Sequence, residues 1–94
     1  MKRELKDLKK GQIIELRWEY WSHDMDEFAP RTLHMLLLER STTPGWRAKV
    51  FYDSCPKEQY EKNVPYINIY YDTWLKLSME QHKLTILWTP ENEV

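Results

Sequence analysis

The run from Gly45 to Asp53, Gly-Trp-Arg-Ala-Lys-Val-Phe-Tyr-Asp, constrains this chain most strongly. Trp46, Ala48, Val50 and Tyr52 fall on one side of an extended backbone, with Arg47, Lys49 and Asp53 on the other. That period of two is the signature of a strand with one buried face. A slip of one residue would put Trp46 and Val50 in water and bury Arg47 and Lys49, so the run sets its own register. Four further runs read the same way. Gln12 to Tyr20 alternates Ile14, Leu16, Trp18 and Tyr20 against Glu15, Arg17 and Glu19. Thr32 to Arg40 is apolar at both parities, as in a strand covered on both faces. Tyr66 to Tyr71 alternates Ile67, Ile69 and Tyr71 with Tyr66, Asn68 and Tyr70, and Leu84 to Trp88 closes the series.

The connections carry their own chemistry. Ser41-Thr42-Thr43-Pro44-Gly45 supplies hairpin residues between the second and third strands. Ser22 to Arg31 lacks periodicity, is acidic and contains Pro30, so it reads as a long loop, the place where small β-domains often bind. Ser54 to Pro65 is a second polar connection. Asp72-Thr73-Trp74-Leu75 starts a tight turn or a further extended piece, with Ser78 to Lys83 as connector. Leu5 and Leu8 stand at helical spacing ahead of Gly11. The expected core is Ile14, Leu16, Leu36, Leu38, Val50, Ile69 and Ile86.

At 94 residues the chain suits one domain, residues 1–94, with its body over roughly 11–88. Aromatic residues make up 14% and include five Trp, which argues against disorder. Fourteen Lys and Arg against fifteen Asp and Glu give a net charge of −1, which disfavours a whole-protein electrostatic mode of nucleic-acid binding. The lone Cys55 cannot form an internal disulfide, and the charged stretch after Met1 is not a secretory signal. These features predict a cytoplasmic protein without a membrane span.

The order is strand, long loop, strand, short hairpin, strand, long loop, strand, turn, strand, and it resembles the SH3-like barrel. The resemblance implies a five-stranded barrel with one short helical turn before the last strand; an OB-like barrel is the alternative. It also implies a groove flanked by Ser22 to Arg31 and Ser41 to Gly45. Trp46 follows the second connection, where peptide-binding members carry an exposed tryptophan. The run Leu16-Arg17-Trp18-Glu19-Tyr20 does not reproduce the Ala-Leu-Tyr-Asp-Tyr-type motif of those members. In general character the chain is similar to small accessory proteins of tailed bacteriophages.

Function is expected to be non-enzymatic protein binding, with no cofactor. Tyr20, Trp21, Trp46, Arg47, Tyr66 and Tyr70 are the candidate partner-binding residues, because Trp, Tyr and Arg dominate interface hot spots. Base stacking by the same rings, with Arg17, Arg47 and Lys49 on phosphates, is the alternative. His23, Asp24, Asp26 and Glu27 supply metal-ligand types without a recognised spacing. Cys55 with His34 or His82 would be nucleophilic only if the fold brought them together.

Overall fold

Five antiparallel strands form a single open sheet in the order β4-β3-β2-β1-β5, in a computed structural model that describes residues 4–23, 25–54 and 64–90. The strands are β1 (Ile13–Ser22), β2 (Glu27–Ser41), β3 (Gly45–Asp53), β4 (Tyr66–Tyr71) and β5 (Leu84–Trp88). A short 3-10 turn (Leu5–Asp7) precedes them, and a helix, α1 (Asp72–Glu80), lies between β4 and β5.

The expected barrel is corrected in one respect: β4 and β5 are opposite edges of the sheet and do not pair with each other. The helix supplies the cover that closure would otherwise provide. It connects the two edge strands and buries Leu75 and Met79 against the same core as Ile14, Leu16, Leu33, Met35, Leu37, Trp46, Ala48, Val50, Tyr70 and Leu84. The stretch read as a turn plus connector is therefore a nine-residue helix, and only Gln81 to Lys83 link it to β5.

Leu8 of the amino-terminal segment packs into this core as well. Gln12 anchors it. This buried side chain accepts a hydrogen bond from the Lys9 backbone at 2.7 Å and donates to the Asp7 carbonyl at 3.3 Å and Thr89 Oγ1 at 3.2 Å. Its polar atoms thereby find three partners, two in the amino-terminal segment and one just after β5, as a buried amide requires.

The covered and open faces follow from the ladder. Leu16 pairs with Leu33 and Ile14 with Met35, which turns Leu33, Met35 and Leu37 inward. Leu36 and Leu38, expected in the core, are only partly buried on the other parity. In β4 the parity is also the reverse of the expected one: Trp46 pairs with Tyr70 and Val50 with Tyr66, so the tyrosines turn inward and Ile67 and Ile69 outward. Ile14, Leu16 and Val50 are fully buried, and Ile86 packs against the core from β5.

A bulge explains the far end of β3. Leu33 pairs with Asp53 and His34 with Tyr52, but Met35 pairs with Val50, which leaves Phe51 as the extra residue. The alternation inverts there. Tyr52 is thrown outward beside Phe51, and Asp53, expected in solvent, is buried.

Gly45 is required by close packing. A Cβ at this position would lie 2.6 Å from the Tyr70 carbonyl oxygen and 3.1 Å from Tyr71 Cα, both backbone atoms of β4. Gly45→Ala must push β4 from β3, and we expect a loss of roughly 1–3 kcal/mol in urea unfolding. A stability equal to that of the unsubstituted protein would show that the β3–β4 spacing is softer than the packing implies.

Candidate functional site

The residues from Ser22 to Arg31 do not form a loop. Ser22 Oγ accepts from the Met25 backbone at 3.3 Å, the Ser22 carbonyl accepts from the Asp26 backbone at 2.7 Å, and Asp26 takes a left-handed φ of 57°. This tight turn reverses the chain directly into β2, with Trp21 opposite Phe28, Tyr20 opposite Ala29 and Trp18 opposite Arg31.

Pro30 fits within the strand because of its position. Thr32 directs its carbonyl and N–H toward Ser54, beside the end of β3. Pro30, two residues earlier, points the same way past the end of β3, where no ladder partner requires its missing N–H.

β5 pairs with β1 only as far as Leu16, and β3 with β2 only from Leu33. The remaining parts of β1 and β2 are a two-stranded arm without a flanking strand. At its tip Trp21 and Phe28 meet edge to face, with ring centroids 5.2 Å apart and planes at 81°. They are 43% and 65% exposed, and Met25 in the turn is 57% exposed. Glu19, Asp26 and Glu27 surround them in solvent, so the tip is apolar within an acidic border.

The root of the arm is built differently. Arg31 Nε donates to Asp53 Oδ1 at 2.9 Å, its Nη2 donates to Oδ2, and Tyr66 Oη donates to Oδ2 at 3.0 Å. The Arg31 guanidinium lies 5.4 Å from the ring centroid of Trp18 and 5.6 Å from that of Tyr20. Trp18 meets Trp74 of α1 edge to face at 5.3 Å, and Trp74 stacks on Tyr70 at 5.6 Å. Burial, followed by the neighbouring Tyr70 and Asp53, pushes the Tyr66 phenol well above the usual tyrosine range, and burial also raises that of Tyr70. Both hydroxyls stay protonated under ordinary conditions, and that of Tyr66 donates to Asp53. The network binds β1, β2, β3, β4 and α1 together where the arm leaves the sheet.

The candidate residues therefore fall in separate places. Trp21 is at the exposed tip. Tyr20 and Tyr66 are half-buried around Arg31, and Tyr70 is buried behind them. Trp46 is 6% exposed, a core residue beneath the guanidinium of Arg40 at 5.5 Å. Arg47 lies on the opposite face of the sheet, bonded to Glu39 at 3.1 Å. Phe28, Met25, the pairing of Arg31 and the burial of Asp53 escaped the sequence reading. The clue to the first and third was the continuous parity of Ala29, Arg31 and Leu33, masked by Pro30.

Arg40 also binds Asp72 through two bonds of 2.7 and 2.8 Å and holds that carboxyl below the usual aspartate range. The pair borders a shallow depression of about 350 Å³ lined by Leu5, Lys6, Leu8 and Trp46. Among the described residues no three His, Cys, Asp or Glu side chains are placed to hold a metal ion. His34 bonds Glu15 at 2.9 Å on the open face of the sheet, and His82 lies exposed in the turn after α1. Cys55 and Asp24 lie outside the described residues. No helix among the described residues is long and apolar enough to cross a membrane.

In comparisons with protein-family models, characterised proteins and solved structures, nothing significantly matches this chain.

Proposed function

We propose that this protein is a non-enzymatic binding module that captures another protein through the tip of its β1–β2 arm. The observation that carries the reading is the exposed Trp21–Phe28 pair with Met25 at the end of a two-stranded projection. Large aromatic rings contribute most to stability when buried, and these three residues lie apart from the core. Rigid aromatic anchors with a polar rim are the usual composition of an interface hot spot. The Arg31–Asp53–Tyr66 network holds the arm at its root, so the tip is presented preorganised, which lowers the entropy cost of binding.

The order of elements supports an SH3-like relationship in which α1 covers the sheet in place of barrel closure. The general likeness to phage accessory proteins makes the partner a host protein or a virion component in the bacterial cytoplasm, and neighbouring early or structural genes would separate the two. The charge pattern favours protein over nucleic acid. Each arginine among the described residues (Arg17, Arg31, Arg40 and Arg47) is already paired with a carboxylate, and the arm tip is bordered by acidic residues that repel phosphate.

The test is quantitative capture of host or virion proteins on immobilised wild-type protein and on Trp21→Ala and Phe28→Ala variants, with oligonucleotides as a parallel ligand. Each substitution is expected to weaken capture by roughly 2 kcal/mol or more while circular dichroism stays unchanged. Equal capture by both variants would remove the tip from consideration. Oligonucleotide binding that falls steeply between about 50 and 200 mM salt would favour the nucleic-acid reading.

A further inference from the structure

The sheet face opposite α1 has no cover among the described residues, yet it is rich in apolar side chains. One level row crosses all five strands: Trp88, Ile13, Leu36, Lys49 and Ile67 stand opposite one another along the ladders. Ile67 and Trp88 at its ends are 51% and 53% exposed, and Ile69, Tyr71, Phe51 and Tyr52 extend the patch on the β3–β4 side. Lys49 is the one charged member of the row, and large exposed apolar side chains gathered on one face mark an interaction surface.

We propose that this face joins two copies of the chain in a sheet-on-sheet dimer whose two-fold axis runs along β2. The strand order places β2 at the centre, so such an axis sets β3 against the partner's β1 and β4 against its β5. The level row is then complementary to itself. Leu36 meets its own copy on the axis, Ile67 faces the partner's Trp88, and Lys49 faces the partner's Ile13. Charge agrees with this arrangement. Lys49 has no ion-pair partner among the described residues, and in the dimer it comes one side-chain step from the partner's Glu15, the next outward residue after Ile13 on β1. Arg47 is balanced by Glu39 within one copy, and Glu15, which meets Arg17 and His34 in its own copy, is the carboxylate that the partner's Lys49 would share.

The area is sufficient. Five strands about 4.8 Å apart and six residues long at about 3.3 Å each make a face of roughly 24 by 20 Å. Two such faces bury on the order of 1,000 Å² before side-chain relief is counted, the threshold that a biological interface is expected to clear. The approach is the aligned packing of twisted sheets, with the apolar row as the central layer.

Sedimentation equilibrium over a concentration series tests the proposal, with circular dichroism as the check on folding. The unsubstituted protein is expected at twice its 11.6 kDa chain mass. Ile67→Lys is expected to weaken self-association by roughly 30-fold or more. Lys49→Glu, at an exposed position, should weaken it without touching the core, and Lys49→Glu combined with Glu15→Lys should recover part of the loss. If Ile67→Lys fails to fold, the Lys49→Glu and charge-exchange pair decide. A monomer at every concentration overturns the proposal and leaves the face to a different protein. A dimer insensitive to Ile67→Lys and Lys49→Glu also overturns it, and loss of that dimer on Trp21→Ala would place the contact at the arm. Trp21 and Phe28 stand on the same parity as Ile13 and Leu36, farther along β1 and β2, but capture is read on Trp21→Ala and Phe28→Ala and self-association on Ile67→Lys and Lys49→Glu, so failure of this dimer and failure of the capture reading are told apart.

Discussion

Replacing Val50 with Asp is expected to abolish the folded state. Val50 is fully buried in β3, between Met35 of β2 and Tyr66 of β4. A carboxylate there meets apolar neighbours, and the arginines on that face, Arg31 and Arg40, are already held by Asp53 and Asp72. An unpaired buried charge costs several kcal/mol, against a total stability of about 5 to 15 kcal/mol for a domain of this kind. Far-ultraviolet circular dichroism of Val50→Asp should show an unfolded chain at neutral pH. The exposed neighbour offers the contrast: Lys49→Asp reverses a charge on the open face and should leave the monomer folded. A folded Val50→Asp protein would mean that β3 is registered differently on its neighbours.

The second large effect is expected at Asp53. Its side chain is fully buried and receives bonds from Arg31 and Tyr66. Asp53→Ala leaves the guanidinium in a largely buried position between Trp18 and Tyr20 and deprives the Tyr66 hydroxyl of its acceptor. Removing one member of a buried pair typically costs about 3 to 5 kcal/mol, because the remaining charge loses its compensation. Urea unfolding should register a loss of that order, and hydrogen exchange should show the arm amides of Tyr20 and Ala29 opening more readily than those of Leu16 and Leu33. Removing both partners separates the pair from its consequences. Arg31→Met with Asp53→Leu should recover most of the stability, since apolar side chains can replace a buried ion pair at little net cost. If Asp53→Ala were neutral, the ion pair would not be what holds the arm, and the Trp18–Trp74 contact would be the stronger candidate for that role.

Removing the bonds at Asp53 acts on presentation and removing the rings at Trp21 or Phe28 acts on contact. An arm with a loosened root should still bind, with a slower approach to the bound state and a larger entropy cost, whereas an arm without its rings should not.

The sequence by itself determined that there are five strands and the approximate limits of four of them, because a short apolar or alternating run bounded by turn residues is a local property; β2 starts at Glu27, five residues before the run that signalled it. It also determined the inward set of β1 and most of β3, where polar residues mark one parity and apolar residues the other. Local patterning was silent where both parities are apolar or aromatic. In β2, Leu33 to Leu38 offers two equivalent faces, and only pairing with Ile14 and Leu16 selects Leu33, Met35 and Leu37. In β4, Ile and Tyr compete for the core, and the ladder to Trp46 and Val50 decides for Tyr66 and Tyr70. The burial of Asp53 depends on a single extra residue in β3, a shift that arises between strands. Pro30 signalled a break when read in isolation, and its tolerance in β2 follows from an edge with no partner strand. The open sheet was a tertiary decision as well: once α1 lies against the core side between β4 and β5, its Leu75 and Met79 occupy the apolar space that would otherwise draw the two edges together.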